Sequence, residues 1–203
     1  MDLTGLFVFA AALAVAAASP GPTITALVAR VLVRGTSGAL AFMLGLSIGE
    51  LVWLTAAVLG LAFIAKTFGL AFLVLKYAGA AYLAYLAWKV WTAPAQAKDA
   101  PAPKAEHPAK LFFAAVSLTL GNPKIMVFYL ALLPNLIDLE AVTTLGYAEL
   151  VAVTFVILTM VDGAYVLLAA RARKFLQSAR AIRMVNRGSG ALLAGAAVAV
   201  ATR

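Results

Sequence analysis

Long hydrophobic stretches enclose, at depth, the carboxyls of Glu50 and Asp162 and the ammonium groups of Lys76 and Lys124. At membrane depth a charge is costly unless it is paired, hydrated or neutralised by a proton. An intramembrane acid is therefore a candidate for binding a cation or carrying a proton. Counted at 1.5 Å per helical residue, Glu50 lies ~20 Å from the basic end of its stretch and Asp162 ~12 Å from the basic end of its own, both inside a hydrocarbon core ~30 Å thick. The plainer account is a set of structural ion pairs in which Lys76 and Lys124 neutralise the two acids. Lys76, nearer the far end of its stretch, is also placed to snorkel towards an interface.

Two helix-breaking motifs interrupt the same kind of stretch: Ser19-Pro20-Gly21-Pro22 and Gly121-Asn122-Pro123-Lys124. Proline withholds an N–H and glycine relaxes the backbone, so each motif frees carbonyls one turn earlier and starts a new helix end. Such an end attracts anions through its free N–H groups and positive dipole. We expect a substrate carboxylate to bind Ser19, Pro20, Gly21, Pro22 and Thr23 on one side and Asn122, Pro123 and Lys124 on the other, with Thr25 adding a further hydroxyl. A simple proline kink satisfied by neighbouring hydroxyls explains either motif alone. Two breaks in matching stretches point instead to a secondary transporter, whose site is built from discontinuous helices.

The elements that hold these groups must be membrane helices. Of 203 residues, 65% are hydrophobic and 12% charged, and the mean hydropathy is +1.01, which leaves too little polar surface for a soluble domain. Sixteen Lys and Arg against eight acids give a net charge of +8. In a membrane protein such an excess marks cytoplasmic loops, so a nucleic-acid partner is not expected. With no Cys and a single His, His107, in a polar loop, thiol chemistry is excluded and neither a metal nor a cofactor is expected. An intramembrane enzyme would need a nucleophile–base pair, and the hydroxyls, lysines and carboxylates form no such arrangement.

Apolar stretches run over Leu3–Ala29, Ser37–Ala65, Phe68–Trp91, Leu111–Pro134, Thr143–Ala170 and Gly188–Ala201. They predict six transmembrane helices, the first and fourth broken at their proline motifs. The sixth, ~15 residues or ~22 Å long, is short for a span. The Ala-Ala-Ala-Ser before Pro20 imitates a signal-peptide cleavage site, but Met1-Asp2 gives no positive n-region and the apolar run is too long. Threading the six spans places Arg30, Arg34, Lys89, Lys98, Lys104, Lys110 and the basic run Arg171–Arg187 on one side, against Lys66 and Arg203 on the other. By the positive-inside rule both termini face outward. The run from Lys174 to Met184 suits anionic lipid at the inner leaflet.

Residues 92–110, rich in Ala and Pro with mixed charge, read as a cytoplasmic linker. They divide the chain into a first three-helix repeat, 1–91, and a second, 111–203. Three crossings apiece insert the second upside down, giving an all-α integral membrane protein of two inverted repeats. Gly45-x-x-x-Gly49 and the small residues Gly79, Ala80 and Ala81 predict close helix packing and are compatible with a homodimer. Trp88 and Trp91 read as an interfacial belt, whereas Trp53 lies deep enough to wall a cavity.

The segment Ser19–Arg34 with its Arg-Gly turn, Gly38-Ala39-Leu40, Gly45-x-x-x-Gly49, the run Lys76–Leu83, and Asn122-Pro123-Lys124 with Pro134 together resemble the LysE/RhtB-type amino-acid exporters. The resemblance is strongest over residues 1–135. It implies a multi-pass inner-membrane protein that exports amino acids or their derivatives, with proton exchange as the driving reaction. Many members of that family carry a His near the position of Trp53; this chain has none, which leaves Glu50 and Asp162 as the proton-coupling or ammonium-binding groups and Lys76 as a charge partner. A channel-like or scaffold protein without coupled export is the alternative, because breaks and buried charges also line pores.

Overall fold

A computed structural model describes residues 3–59, 77, 81, 84–85, 87–88, 91–92, 106–129, 133–139, 142–175, 183–184, 187–188, 190–191, 194–195 and 198. Seven helices have defined bounds: α1 (Leu3–Ala18), α2 (Pro22–Arg34), α3 (Ala39–Val58), α4 (Pro108–Leu120), α5 (Pro123–Val127), α6 (Leu133–Leu136) and α7 (Thr144–Phe175). Among the described residues there is no strand. Most of the third and sixth spans, Lys76, Lys66, most of the linker and both chain ends lie outside the described residues, and with them the pairing of the two halves.

Ala39–Val58 and Thr144–Arg173 are each long and apolar enough to cross a membrane, and α1 with α2 passes the same test as a pair bent by 51°. This is a multi-pass, all-helical membrane protein. The twenty residues of α3 span ~30 Å, the thickness of the hydrocarbon core. Its sequence is apolar on every side, as a lipid-bathed helix requires. Leu40, Leu44, Ile48 and Val52, four residues apart, form an exposed stripe, while Phe42, Leu46, Trp53 and Leu54 face inward. On α7, Phe155, Val156, Met160, Leu167 and Leu168 are exposed and Leu150, Leu158, Val166 and Ala169 are buried. With no water to avoid, those outer faces sit against lipid.

The Gly45-x-x-x-Gly49 spacing works as the sequence suggested, and its partner is α4. A Cβ at Gly49 would lie 2.6 Å from Cβ of Thr119, and one at Gly45 2.7 Å from Cβ of Ala115. The helices therefore meet against the Phe112 carbonyl at Gly45 and against the Thr119 side chain at Gly49, and no other residue type fits without displacement.

One end of the bundle is tied by polar groups. Arg30 donates to Glu106 and pairs with it, Arg34 lies 3.7 Å from the same carboxylate, and Arg30 also donates to the Ser37 carbonyl at 3.0 Å. Arg173, at the end of α7, donates to the Leu32 carbonyl at 3.1 Å. The chain turns here at Gly35 and Gly38, whose φ angles of +70° and +72° favour glycine. Glu106, within the linker, is thereby fastened to the end of α2.

Two stability measurements follow. Gly49→Ala lowers unfolding stability in detergent by about 1–3 kcal/mol through overpacking against Thr119, whereas Gly163→Ala, where a Cβ meets nothing nearer than Met43 Cε at 4.0 Å, leaves it unchanged or raised. Removing one partner of the part-buried pair with Glu106→Gln costs about 1–2 kcal/mol, read as a lower midpoint in the same unfolding experiment.

Candidate functional site

The site begins at the first break. Pro20 and Pro22 offer no N–H, so the carbonyls of Ala16 and Ala18 lose the donors a continuous helix would supply. The Ala16 carbonyl is taken up locally by the Ser19 N–H at 3.3 Å. The Ala18 carbonyl accepts from the hydroxyl of Tyr165 on α7 at 2.8 Å. The Ser19 carbonyl accepts from the ammonium of Lys124 on α5. Two acceptors in and beside the break are thus served by side chains more than a hundred residues away.

Gly21, the residue before α2, has φ −146° and ψ −173°, ordinary extended backbone. The sequence suggested glycine for its freedom of backbone angle; the structure gives a different reason. A Cβ there would lie 3.3 Å from Cδ of Lys124 and 3.6 Å from its Nζ, so the missing side chain makes room for the lysine to pass. Thr23, on the first turn of α2, is buried.

At the second break Gly121 ends α4 and Asn122 caps α5. The Asn122 side-chain oxygen accepts the Lys124 N–H at 3.1 Å, and its carbonyl accepts the N–H groups of Ile125 and Met126, both at 3.1 Å. Asn122 is buried, and its side-chain amide nitrogen has no hydrogen-bond partner among the described residues. Its work is to start α5 in the direction that carries Lys124 across to Ser19.

Between the breaks lies a cavity of about 480 Å³, counting the part open to its surroundings. Glu50 enters it from α3, Lys124 from α5, Asp162 from α7 and Thr23 from α2; Leu13, Ile24, Leu46, Ile125, Phe128 and Leu158 supply apolar wall. Glu50 is within electrostatic range of both Asp162 and Lys124. The hydroxyl of Tyr129, a fully buried side chain, donates to Glu50 Oε2 at 3.2 Å and fixes one edge of that carboxyl.

The residues singled out in the sequence separate into two groups. Thr23, Lys124, Glu50 and Asp162 line the cavity. Ser19 reaches the site through its carbonyl and Gly21 through the space above it, while Pro20, Pro22, Asn122 and Pro123 shape the breaks without lining the cavity. Trp53 is buried in the cluster with Phe9, Leu13, Leu54, Phe128 and Tyr129 and is not a cavity wall. Lys76 lies outside the described residues. Sequence reasoning missed Tyr129 and Tyr165. Tyr165 follows Asp162 by three residues, the spacing of one helix face, and that was its available signal; a lone Tyr in an apolar run gave none for Tyr129.

Among the described residues the cavity offers two carboxyls, one ammonium, the hydroxyls of Thr23 and Tyr129 and an apolar wall. That set can hold a small molecule bearing opposite charges or exchange a proton for a cation. Among the described residues no group of three or more His, Cys, Asp or Glu is arranged to hold a metal.

The chain has relatives. It is 31% identical over 170 residues to proteins named homoserine/homoserine lactone efflux protein from Salmonella typhimurium and Salmonella typhi, covering 83% of this chain and 82% of each relative. It is 29% identical over 168 residues, with the same coverage, to a protein of Vibrio cholerae named only as an uncharacterized membrane protein. No solved structure matches it significantly. The family model for LysE type translocators matches residues 14–203, almost the whole chain, and the protein belongs to that family.

Proposed function

We propose that this protein exports amino acids or amino-acid derivatives from the cytoplasm across the inner membrane by proton antiport, with alternating access to the cavity between the breaks. The observation that carries the reading is the convergence of Glu50, Lys124 and Asp162, from three separate elements, on one cavity flanked by both interrupted helices. Discontinuous helices meeting at a polar site within a membrane are the building plan of secondary transporters. The names of the Salmonella relatives favour a small, neutral amino acid of the homoserine type, and the apolar wall suits a short side chain.

Charge counting supplies the coupling. With both acids ionised, the cavity holds two negative charges against one ammonium, and a site walled by hydrocarbon favours neutrality. A proton on an acid supplies the missing positive charge outright; a zwitterionic substrate supplies it through its ammonium while its carboxylate is held apart at the positive end of α2. Because the two compete for the same carboxyls, binding one releases the other, and each stabilises its own conformation by its differential affinity. The substrate carboxylate then faces the start of α2 at Thr23, with Lys124 in reach. Inward proton movement drives outward substrate movement.

The test is efflux from proteoliposomes of the purified protein loaded with labelled homoserine, with and without an imposed pH gradient. Saturable loss accelerated by inward proton flow is the expected result. Loss that is linear in concentration and indifferent to the gradient would mean a channel, and no loss of any amino acid would sink the substrate class. In the same assay Glu50→Gln, which cannot release a proton, reduces gradient-driven efflux at least a hundredfold, to background; wild-type exchange by this variant would remove Glu50 from the coupling. Asp162→Asn, one helix away on the same cavity, lowers gradient-driven efflux at least tenfold, and unaltered rates would assign the coupling to Glu50 alone.

A further inference from the structure

The ammonium of Lys124 rests on a main-chain carbonyl, although two carboxyls share its cavity. Its partner, the Ser19 carbonyl, lies just past the C-terminal end of α1, where unsatisfied carbonyls concentrate partial negative charge. The neighbouring Ala18 carbonyl takes the neutral hydroxyl of Tyr165, and among the described residues the Ser19 carbonyl is the acceptor that the Lys124 ammonium reaches. A lysine ammonium and the ammonium of an amino acid are the same donor, differing in whether the group is tethered. A carbonyl that holds one at this position is shaped to hold the other.

We propose that the Ser19 carbonyl is the seat of the substrate ammonium and that Lys124 occupies it as a built-in stand-in until substrate arrives. Once displaced, Lys124 is free to meet the substrate carboxylate, so arrival of one charge releases the partner for the other. The class of ligand is a primary ammonium compound small enough for the cavity. Gly21 belongs to the same device: its missing Cβ leaves the path along which Lys124 reaches the seat, since a Cβ would press on Lys124 Cδ at 3.3 Å. The assignment refines the export reading, placing the ammonium at the carbonyl end of α1 and using Glu50 and Asp162 to balance its charge.

Removing the lysine charge favours any cation in a cavity with two carboxyls, so the deciding variant is one that keeps the charge and moves it off the carbonyl. If Lys124 serves only to attract a carboxylate, moving it aside leaves propylammonium binding unchanged. If Lys124 blocks the seat, such a ligand gains an open acceptor.

The experiment titrates propylammonium chloride into purified protein in detergent, following binding by calorimetry, so that the result does not depend on transport. Lys124→Met is expected to bind propylammonium about tenfold more tightly than the wild type, the effect of one hydrogen bond to a charged group. Lys124→Arg, which keeps a tethered cation, is expected to stay near the wild-type value. Gly21→Val, whose extended backbone admits a side chain, displaces the lysine without deleting it and shifts affinity in the same direction as Lys124→Met. It also covers the case in which Lys124→Met fails to fold. Equal or weaker propylammonium binding by either folded variant, Lys124→Met or the charge-keeping Gly21→Val, overturns the proposal. Failure of amino-acid efflux in proteoliposomes alongside tighter binding by the variants would overturn the export reading and leave the ammonium seat standing.

Discussion

Every main-chain N–H and C=O inside a bilayer core must find a partner within the protein, because lipid offers none. The Ser19–Pro22 motif breaks that requirement locally, and much of the site follows from how it is repaired. Tyr165 serves the Ala18 carbonyl and Lys124 serves the Ser19 carbonyl. Those two side chains come from helices far along the chain, so the break in the first span is stable only when α5 and α7 are already in place. A local fault in one helix becomes a tertiary tie among three.

The repair also fixes where polar chemistry is affordable. Lys124 must cross to Ser19, which requires the Asn122 cap to start α5 at the right place and Gly21 to leave space. Once an ammonium is held at the edge of the cavity, acids that face it cost less than they would alone. Glu50 and Asp162 stand on α3 and α7 facing that same space. The close packing of Gly45 and Gly49 against α4 holds α3 near the element that leads into the second break, so glycines with no chemistry of their own help to bring Glu50 towards the lysine. Repairs of this kind are exchangeable: a carbonyl satisfied by a mobile side chain can be satisfied by a ligand instead, which suits the ligand exchange proposed for this cavity.

Much of this could be read from residues in a line. The proline motifs announced the breaks, because proline's lost N–H acts wherever it stands. The acids and lysines inside apolar stretches announced functional groups, because lipid penalises charge regardless of fold. The Gly-x-x-x-Gly spacing announced a close helix contact without naming α4 as its partner. Other readings needed revision: Gly21 was attributed to backbone freedom, but its φ is ordinary and its value lies in the side chain that passes over it. Trp53, placed deep enough in the sequence to wall a cavity, packs in a core.

The amino-acid sequence by itself determined that the protein lives in lipid, where its helices break, and which ionisable groups it carries to membrane depth. These are properties of single residues and their immediate neighbours in an apolar solvent. Only the tertiary structure decided that Glu50, Lys124 and Asp162 share one cavity, that Tyr129 holds Glu50, and that the freed carbonyls of Ala18 and Ser19 go to Tyr165 and Lys124. Those facts depend on how helices separated by a hundred residues rotate and cross. A carbonyl or a hydroxyl has no preferred partner until packing sets which one lies within 3 Å.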